Sequence, residues 1–423
     1  MFRRVNPPSM TYLASLSVYN TEQLAVSPHL NFAQSRPEPK RTTPIKIDNH
    51  VIQLTYDPTT GSLLKVTDLA SNNVTEINLS FEYYKSQGSG AYIFRPNGPS
   101  MGVFHNAPII RIFQGPLVSR IEVDFEPYIT HKITLYSQPA LSASAVHIEN
   151  IINILTLKDK ELIMRLSTGV QNTDESFFTD QNGFQFIRRL PNNEVNVEGN
   201  YYPMSSAAFL EDRDTRVTLM AAQPHGVAVL DKGQLEVMLD RQLLQDDGRG
   251  LGEPVEDIKT TTLNFVLFVE RRAHRLATLP QSHTATMSLA ALIVNDALQQ
   301  PPVLFFSSVS SDVFYRTVSP VRQPLPCDVS AVSLRSLNTG SLQYNGTSVI
   351  LHRRGYDCGF PTPTALLCQP SDPNLTFGGL LEEFSFSNVK ETSLTHTTVT
   401  RALSPTEKLN LNPMEIYAYH LQL

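Results

Sequence analysis

Between residue 46 and the C-terminus the chain is written largely in short runs of alternating apolar and polar residues, the period-two pattern of half-buried strands. The stretch HVIQLTYDPTTGSLLKVTDL, residues 50–69, reads as a strand, a Pro-Thr-Thr-Gly turn and a returning strand. The series continues in PLVSRIEVDFEPYITHKITLYSQP, AVHIENIINIL and ELIMRLSTGV, with β-branched residues at alternate positions. RVTLMAAQPHGVAVLDKGQLEVMLDRQLL predicts three short strands broken at Pro224-His225-Gly226 and at Asp231-Lys232-Gly233. TTTLNFVLFVERR is nearly continuous in apolar residues, as expected of a strand buried on both faces.

The pattern changes at two places. SRPEPKRTTP, residues 35–44, is rich in proline and charge and reads as a linker behind a weakly periodic N-terminal segment. Residues 271–302 hold the one plausible helical stretch, closed by Pro301-Pro302. Short strand patterns then return in LFFSSV, VSAVSLRSL, SVILHRRGY and the terminal MEIYAYHLQL. The predicted fold class is mostly β with little helix: a large antiparallel β-sandwich followed by a smaller β unit. The expected divisions are 1–45 as N-terminal segment and linker, 46–272 as the large sandwich, 273–302 as a connecting segment and 303–423 as a C-terminal β domain.

Composition narrows the function. With 423 residues, 41% hydrophobic and 17% charged, the chain can bury more than one core. A net charge of −6 without any block of clustered Lys or Arg argues against nucleic acid as a partner. No run of about eighteen apolar residues is present to suggest a membrane span, and the serine-broken start MFRRVNPPSMTYLASLSVYN makes a poor signal peptide. Four N-x-[ST] acceptors, Asn73, Asn78, Asn345 and Asn374, exceed the roughly two expected by chance and lean toward a lumenal protein. Of the three cysteines, Cys358 and Cys368 flank a proline-containing loop and can bridge in an oxidising compartment; three buried thiols are the alternative.

The chemistry-bearing residues are few. No two of the eleven histidines stand at metal-ligand spacing, and neither a G-x-S-x-G elbow nor a phosphate-binding loop occurs, so zinc, serine and nucleotide chemistry have no motif within this chain. The densest cluster is QLEVMLDRQLLQDDGRGLGEP, residues 234–254. Its adjacent Asp246 and Asp247 cannot face one another across a sugar as a glycosidase pair must. They are expected to cap the turn and pair with Arg241 or Arg249. Either guanidinium presents a fork of donors able to hold a carboxylate or vicinal sugar hydroxyls; an Arg–Asp pair internal to the loop is the competing reading. GSGAYIFRPNGP, residues 88–99, is expected to hold Ala91–Phe94 as a strand between tight turns, presenting Tyr92 to a ligand or packing it in the core. The absence of tryptophan weakens a free-standing lectin-like module.

These same stretches carry a resemblance. SGAYIFRPNGP resembles the S-G-A-Y-[IL]-F-x-P-[ND]-G signature of glycoside hydrolase family 38, the class II α-mannosidases. SFFTDQNGFQFIRRL, the run from GNYYPM to GLGEP, and FVLFVERR are similar to further blocks of that family in the same order. LPCDVSAVSLRSL, LHRRGYDCGF and LNPMEIYAYHLQL resemble its Golgi branch. The resemblance implies a retaining, zinc-dependent enzyme that removes terminal α-mannose from N-glycan oligosaccharides in the Golgi lumen. Its zinc ligands and both catalytic carboxylates would belong to an N-terminal catalytic domain, opening with H-x-D-P-G-W, that this sequence does not contain. It further implies that the C-terminal portion lends Tyr92 and Arg241, with Arg249 as second choice, to the catalytic pocket. Gln242 and Arg95 depart from the family's common D-R-R-L and A-Y-L-F-L-P patterns. Cys358, in the GYDC block, would reach Cys368 or a cysteine in the catalytic domain. The alternatives are a non-catalytic β-sandwich module that binds glycan or protein, and a scaffold behind a catalytic domain.

Overall fold

The computed structural model describes residues 43–103, 107–137, 141–181, 183–256, 259–278, 282–303, 325–338, 344–362, 368, 375–381 and 388–422. It also describes the short strands Phe2–Arg3, Leu16–Val18 and Thr317–Val318, which pair with one another. Most of the predicted linker, the strand LFFSSV and Asn374 lie outside the described residues, as does the side chain of Asn345.

The chain divides into two compact units. One comprises residues 32–286 and 359–361; the other comprises 287–358 and 362–423 with 1–31.

The first unit is a sandwich of two antiparallel sheets. One sheet runs in the order Tyr202–Met204, His225–Ala228, Gln234–Gln242, Lys160–Thr168, Val74–Lys85, Leu63–Asp68, Ile52–Tyr56 and Ile45–Asp48. The other centres on Thr215–Ala221, Thr261–Arg271, Ala145–Ile152, Ile129–Tyr136 and Val118–Phe125. Alternation decides which side chains meet between them. In Val74–Lys85 the residues Ile77, Leu79, Phe81 and Tyr83 enter one continuous core with Ile121, Val123, Ile133, Ile148, Leu219, Phe265 and Leu267 of the opposite sheet. Thr261–Arg271 is covered on both sides, with Phe265, Val266, Leu267 and Phe268 all buried. The turn at residues 57–61 closes as its residues dictate: Asp57 Oδ1 accepts from the amides of Thr59 and Thr60, and Gly61 takes φ +70°. Residues 359–361 belong to this unit because Phe360 stacks on both Arg216 and Arg272, whose guanidinia share the buried carboxylate of Glu211.

The second unit contains the helix Leu289–Gln299. Its Ser288 N-cap side chain accepts from the Ala291 amide, and Pro301-Pro302 follow its end. A five-stranded antiparallel sheet follows, ordered Val329–Asn338, Tyr344–Arg353, Glu415–Gln422, Asn388–Thr392 and Val399–Leu403. Here the cysteine expectation is corrected. Cys327 and Cys368 form the disulfide, with Cα atoms 5.3 Å apart, while Cys358 is exposed and free. Both bridged residues are buried in this unit, whereas the loop around Cys358 turns its thiol to solvent. Among the described residues no helix is long and apolar enough to cross a membrane.

Candidate functional site

Two loops that are far apart in sequence are clamped together on the outer side of the first sheet. The first, residues 86–100, is not the strand expected at Ala91–Phe94. The amides of Tyr92 and Ile93 have no partner strand; instead Asp247 Oδ2 accepts from Tyr92 N at 2.7 Å and Ile93 N at 2.9 Å. Ser89, fully buried, closes the loop by accepting from Arg95 N at 2.8 Å and donating to Arg95 O at 3.1 Å, and the Gly90 amide donates to Ile93 O. Gly90 is required by contact: a Cβ there would lie 2.6 Å from both Cβ and the backbone nitrogen of Asp247.

The second loop, residues 243–255, is pinned by its aspartates. Asp247 Oδ1 accepts from Arg249 N at 3.1 Å, and Asp246 Oδ2 from Gly248 N at 2.9 Å. Desolvation opposes it, yet the Tyr92, Ile93 and Arg249 amides hold the Asp247 carboxyl below its ordinary pKa. The two aspartates therefore cap backbone, as expected, but neither forms the predicted ion pair with an arginine. Asp247 accepts from amides of both loops, while Asp246 accepts from Gly248 within its own.

Arg241 finds a different carboxylate. Its Nε and Nη2 donate to Glu161 Oε1 at 3.0 and 2.8 Å, and Nη2 also donates to Ile93 O at 2.6 Å. Glu161 is wholly buried; burial raises its pKa and the Arg241 guanidinium works against that rise. A register shift explains the pairing. Leu162 lies opposite Asp240 but Ile163 opposite Met238, so Leu239 is an extra residue, a β-bulge, in Gln234–Gln242. Strict alternation would turn Glu236 and Arg241 to opposite faces; the bulge puts both on the outer one, opposite Arg165 and Glu161.

With Arg241 so engaged, Tyr92 and Arg249 are the two expected pocket residues that these loops leave exposed to solvent. Tyr92 is 67% exposed and Arg249 is exposed, with no carboxylate partner among the described residues. One aspartate, Asp247, binds both backbones, so the two are held as neighbours. Arg95 is also exposed on the first loop, and Gln242 is buried. Asn73 and Asn78 stand exposed on the Val74–Lys85 side of the same unit.

Sequence reasoning missed Glu161, Glu82, Tyr84, Arg165, Tyr201 and Glu236, which form the polar surface beneath these loops. A signal existed: charged Glu161 and Arg165 alternate with apolar Leu162, Met164 and Leu166 in one strand, marking the face turned away from the core. Among the described residues no group of three or more His, Cys, Asp or Glu side chains is arranged to hold a metal ion.

Comparison with known proteins places this architecture. Residues 47–249 match the profile of the Glycosyl hydrolases family 38 C-terminal domain. Human alpha-mannosidase 2 is 30% identical over 389 residues, covering 90% of this chain and 34% of that protein. Mouse alpha-mannosidase 2x is 31% identical over 426 residues, covering 98% of this chain and 37% of that protein. The chain thus spans about a third of the length of these relatives. Among solved structures, an alpha-mannosidase from Enterococcus faecalis V583 shares the fold at TM-score 0.60 and 14% identity, over 89% of this chain and 42% of that one. The chain belongs to glycosyl hydrolase family 38, of which it carries the C-terminal domain.

Proposed function

We propose that this chain serves as the β-rich wall of an α-mannosidase that hydrolyses terminal α-mannose from N-glycans. In this reading the zinc, the nucleophile and the general acid belong to an N-terminal catalytic domain outside the chain, and catalysis is retaining. Tyr92 and Arg249 line the sugar pocket, and Arg241 braces the loop that carries Tyr92. The observation that carries the reading is the exposed Tyr92 beside Arg249, fixed by the shared Asp247 carboxylate. A phenol held on so short a tether loses little entropy on binding, and a guanidinium without a carboxylate partner among the described residues has its fork of donors to offer sugar hydroxyls or a catalytic carboxylate. The similarity to alpha-mannosidase 2 proteins supports mannose as the substrate class, the resemblance of the tail blocks to the Golgi branch supports the Golgi lumen as the compartment, and exposed Asn73 and Asn78 suit a lumenal glycoprotein.

The test is to isolate the native protein that carries this chain and follow release of mannose from an aryl α-mannoside and from a high-mannose N-glycan, before and after chelation. Zinc-restorable release is expected. A pure native protein that binds the glycan without cleaving it would replace this reading with the non-catalytic module.

A further inference from the structure

A second, partly buried ionic cluster lies two rungs from Glu161–Arg241 on the same outer face. Arg165 Nε and Nη2 donate to Glu236 Oε2 at 3.1 and 2.5 Å, and its Nη1 donates to Glu82 Oε2 at 2.5 Å. Its Nη2 also donates to Ser100 Oγ at 2.9 Å, and Ser100 in turn donates to Glu82 Oε2 at 2.6 Å. The remaining oxygen of Glu236 accepts from two phenols, Tyr84 at 2.8 Å and Tyr201 at 2.6 Å. The rings of those tyrosines receive Phe94 edge-on, with centroids 5.6 and 5.0 Å away.

The cluster takes no part in the inter-sheet core; none of its polar members belongs to it. What it touches is the Tyr92 loop, at Ser100 where the loop ends and at Phe94, two residues past Tyr92. We propose that Arg165 and Glu236 are positioning residues for Tyr92, holding its loop through Ser100 and through the paired rings of Tyr84 and Tyr201. This rests on the reading that Tyr92 lines a sugar site. Neither residue meets the sugar; each acts through the loop. The guanidinium reaches Glu82, Glu236 and Ser100 from three nitrogens spread over a fixed plane; a lysine carries its three donors on a single nitrogen and does not reproduce that spread.

The test uses the native protein with Ser100→Ala, Ser100→Thr, Arg165→Lys and Tyr92→Phe. Ser100→Ala and Arg165→Lys are expected to speed amide exchange across residues 90–95 and to lower kcat/KM for an α-mannoside about tenfold. The thermal midpoint of Ser100→Ala should stay at the wild-type value, and Ser100→Thr, which keeps the hydroxyl, should restore both exchange and rate. Wild-type exchange and rate in both Ser100→Ala and Arg165→Lys would overturn the positioning role. A wild-type rate in Tyr92→Phe would instead overturn the reading of Tyr92 as a pocket residue, whatever the exchange data show.

Discussion

Arg241 and Glu161 are cross-strand partners, the guanidinium donating twice to a single carboxylate oxygen of a glutamate that has no solvent exposure. Because Arg241 also donates to the Ile93 carbonyl, one side chain joins a buried charge to the loop that presents Tyr92. Removing it strands the carboxylate. Arg241→Ala should therefore cost about 3 kcal/mol of stability in the first unit, the low end for a broken buried pair because Arg241 is partly exposed. Urea unfolding checks this, and Glu161→Gln in the Arg241→Ala background should return part of the loss. Unchanged stability in Arg241→Ala would show that the pair braces nothing.

Gly90 leaves no room for a side chain against Asp247. Gly90→Ala should part the two loops, and Asp247→Ala should release the same amides by deleting their acceptor. Both variants are expected to lose exchange protection at Tyr92 and Ile93, while the core strand Thr261–Arg271 keeps its own. Hydrogen exchange by mass spectrometry reads both regions in one experiment; protection retained at 92–93 in both variants would contradict the clamp.

Two buried histidines set a pH dependence. Burial holds His131 at a pKa of about 4, with the Asn150 hydrogen bond opposing, and burial likewise holds His147 at about 4. An unfolded histidine titrates near 6.5, so between these values the unfolded chain binds more protons than the folded one. Their contribution is full above pH ~6.5 and is lost as the pH falls from there toward about 4. Each accounts for on the order of 3 kcal/mol at the low end of that window. The urea midpoint of the first unit should be level from pH 7 to 8 and drop below pH 6, with a shallower slope in His131→Gln. A midpoint level down to pH 5 would rule this out.

The disulfide closes a segment between residues separated by 41 positions, which by chain entropy is worth about 4 kcal/mol to the second unit. Alkylation without reduction should label Cys358 alone, and peptide mapping should recover Cys327 linked to Cys368. A Cys358–Cys368 peptide would restore the pairing that chain proximity suggested.

Much of the fold was legible because burial follows the sequence period: Ile77, Leu79 and Phe81 alternate in sequence and enter the core together, and Pro301-Pro302 stop the helix as their chemistry requires. The site was legible only in part. Tyr92, Arg249 and the capping aspartates sit in turns whose glycines, prolines and charges announce themselves. The pairing of Arg241 with Glu161 was hidden by the bulge at Leu239, since one inserted residue reverses the face of all that follows it and leaves no periodic trace. Glu161, Arg165 and Glu236 were hidden for a related reason. Each is an ordinary charged residue in an alternating strand, and becomes a buried ion only when loops from elsewhere in the chain close over the sheet. Proximity along the chain misled the cysteine pairing in the same way.

The kinetic comparison of Arg249→Ala with wild type, in the native protein that carries this chain, bears most directly on the account. The Arg249 guanidinium has no carboxylate partner among the described residues, so its removal should leave the thermal midpoint unchanged while kcat/KM for an α-mannoside falls about a hundredfold. Wild-type kcat/KM in Arg249→Ala, with the protein folded, would contradict the claim that this chain supplies a guanidinium to the sugar pocket.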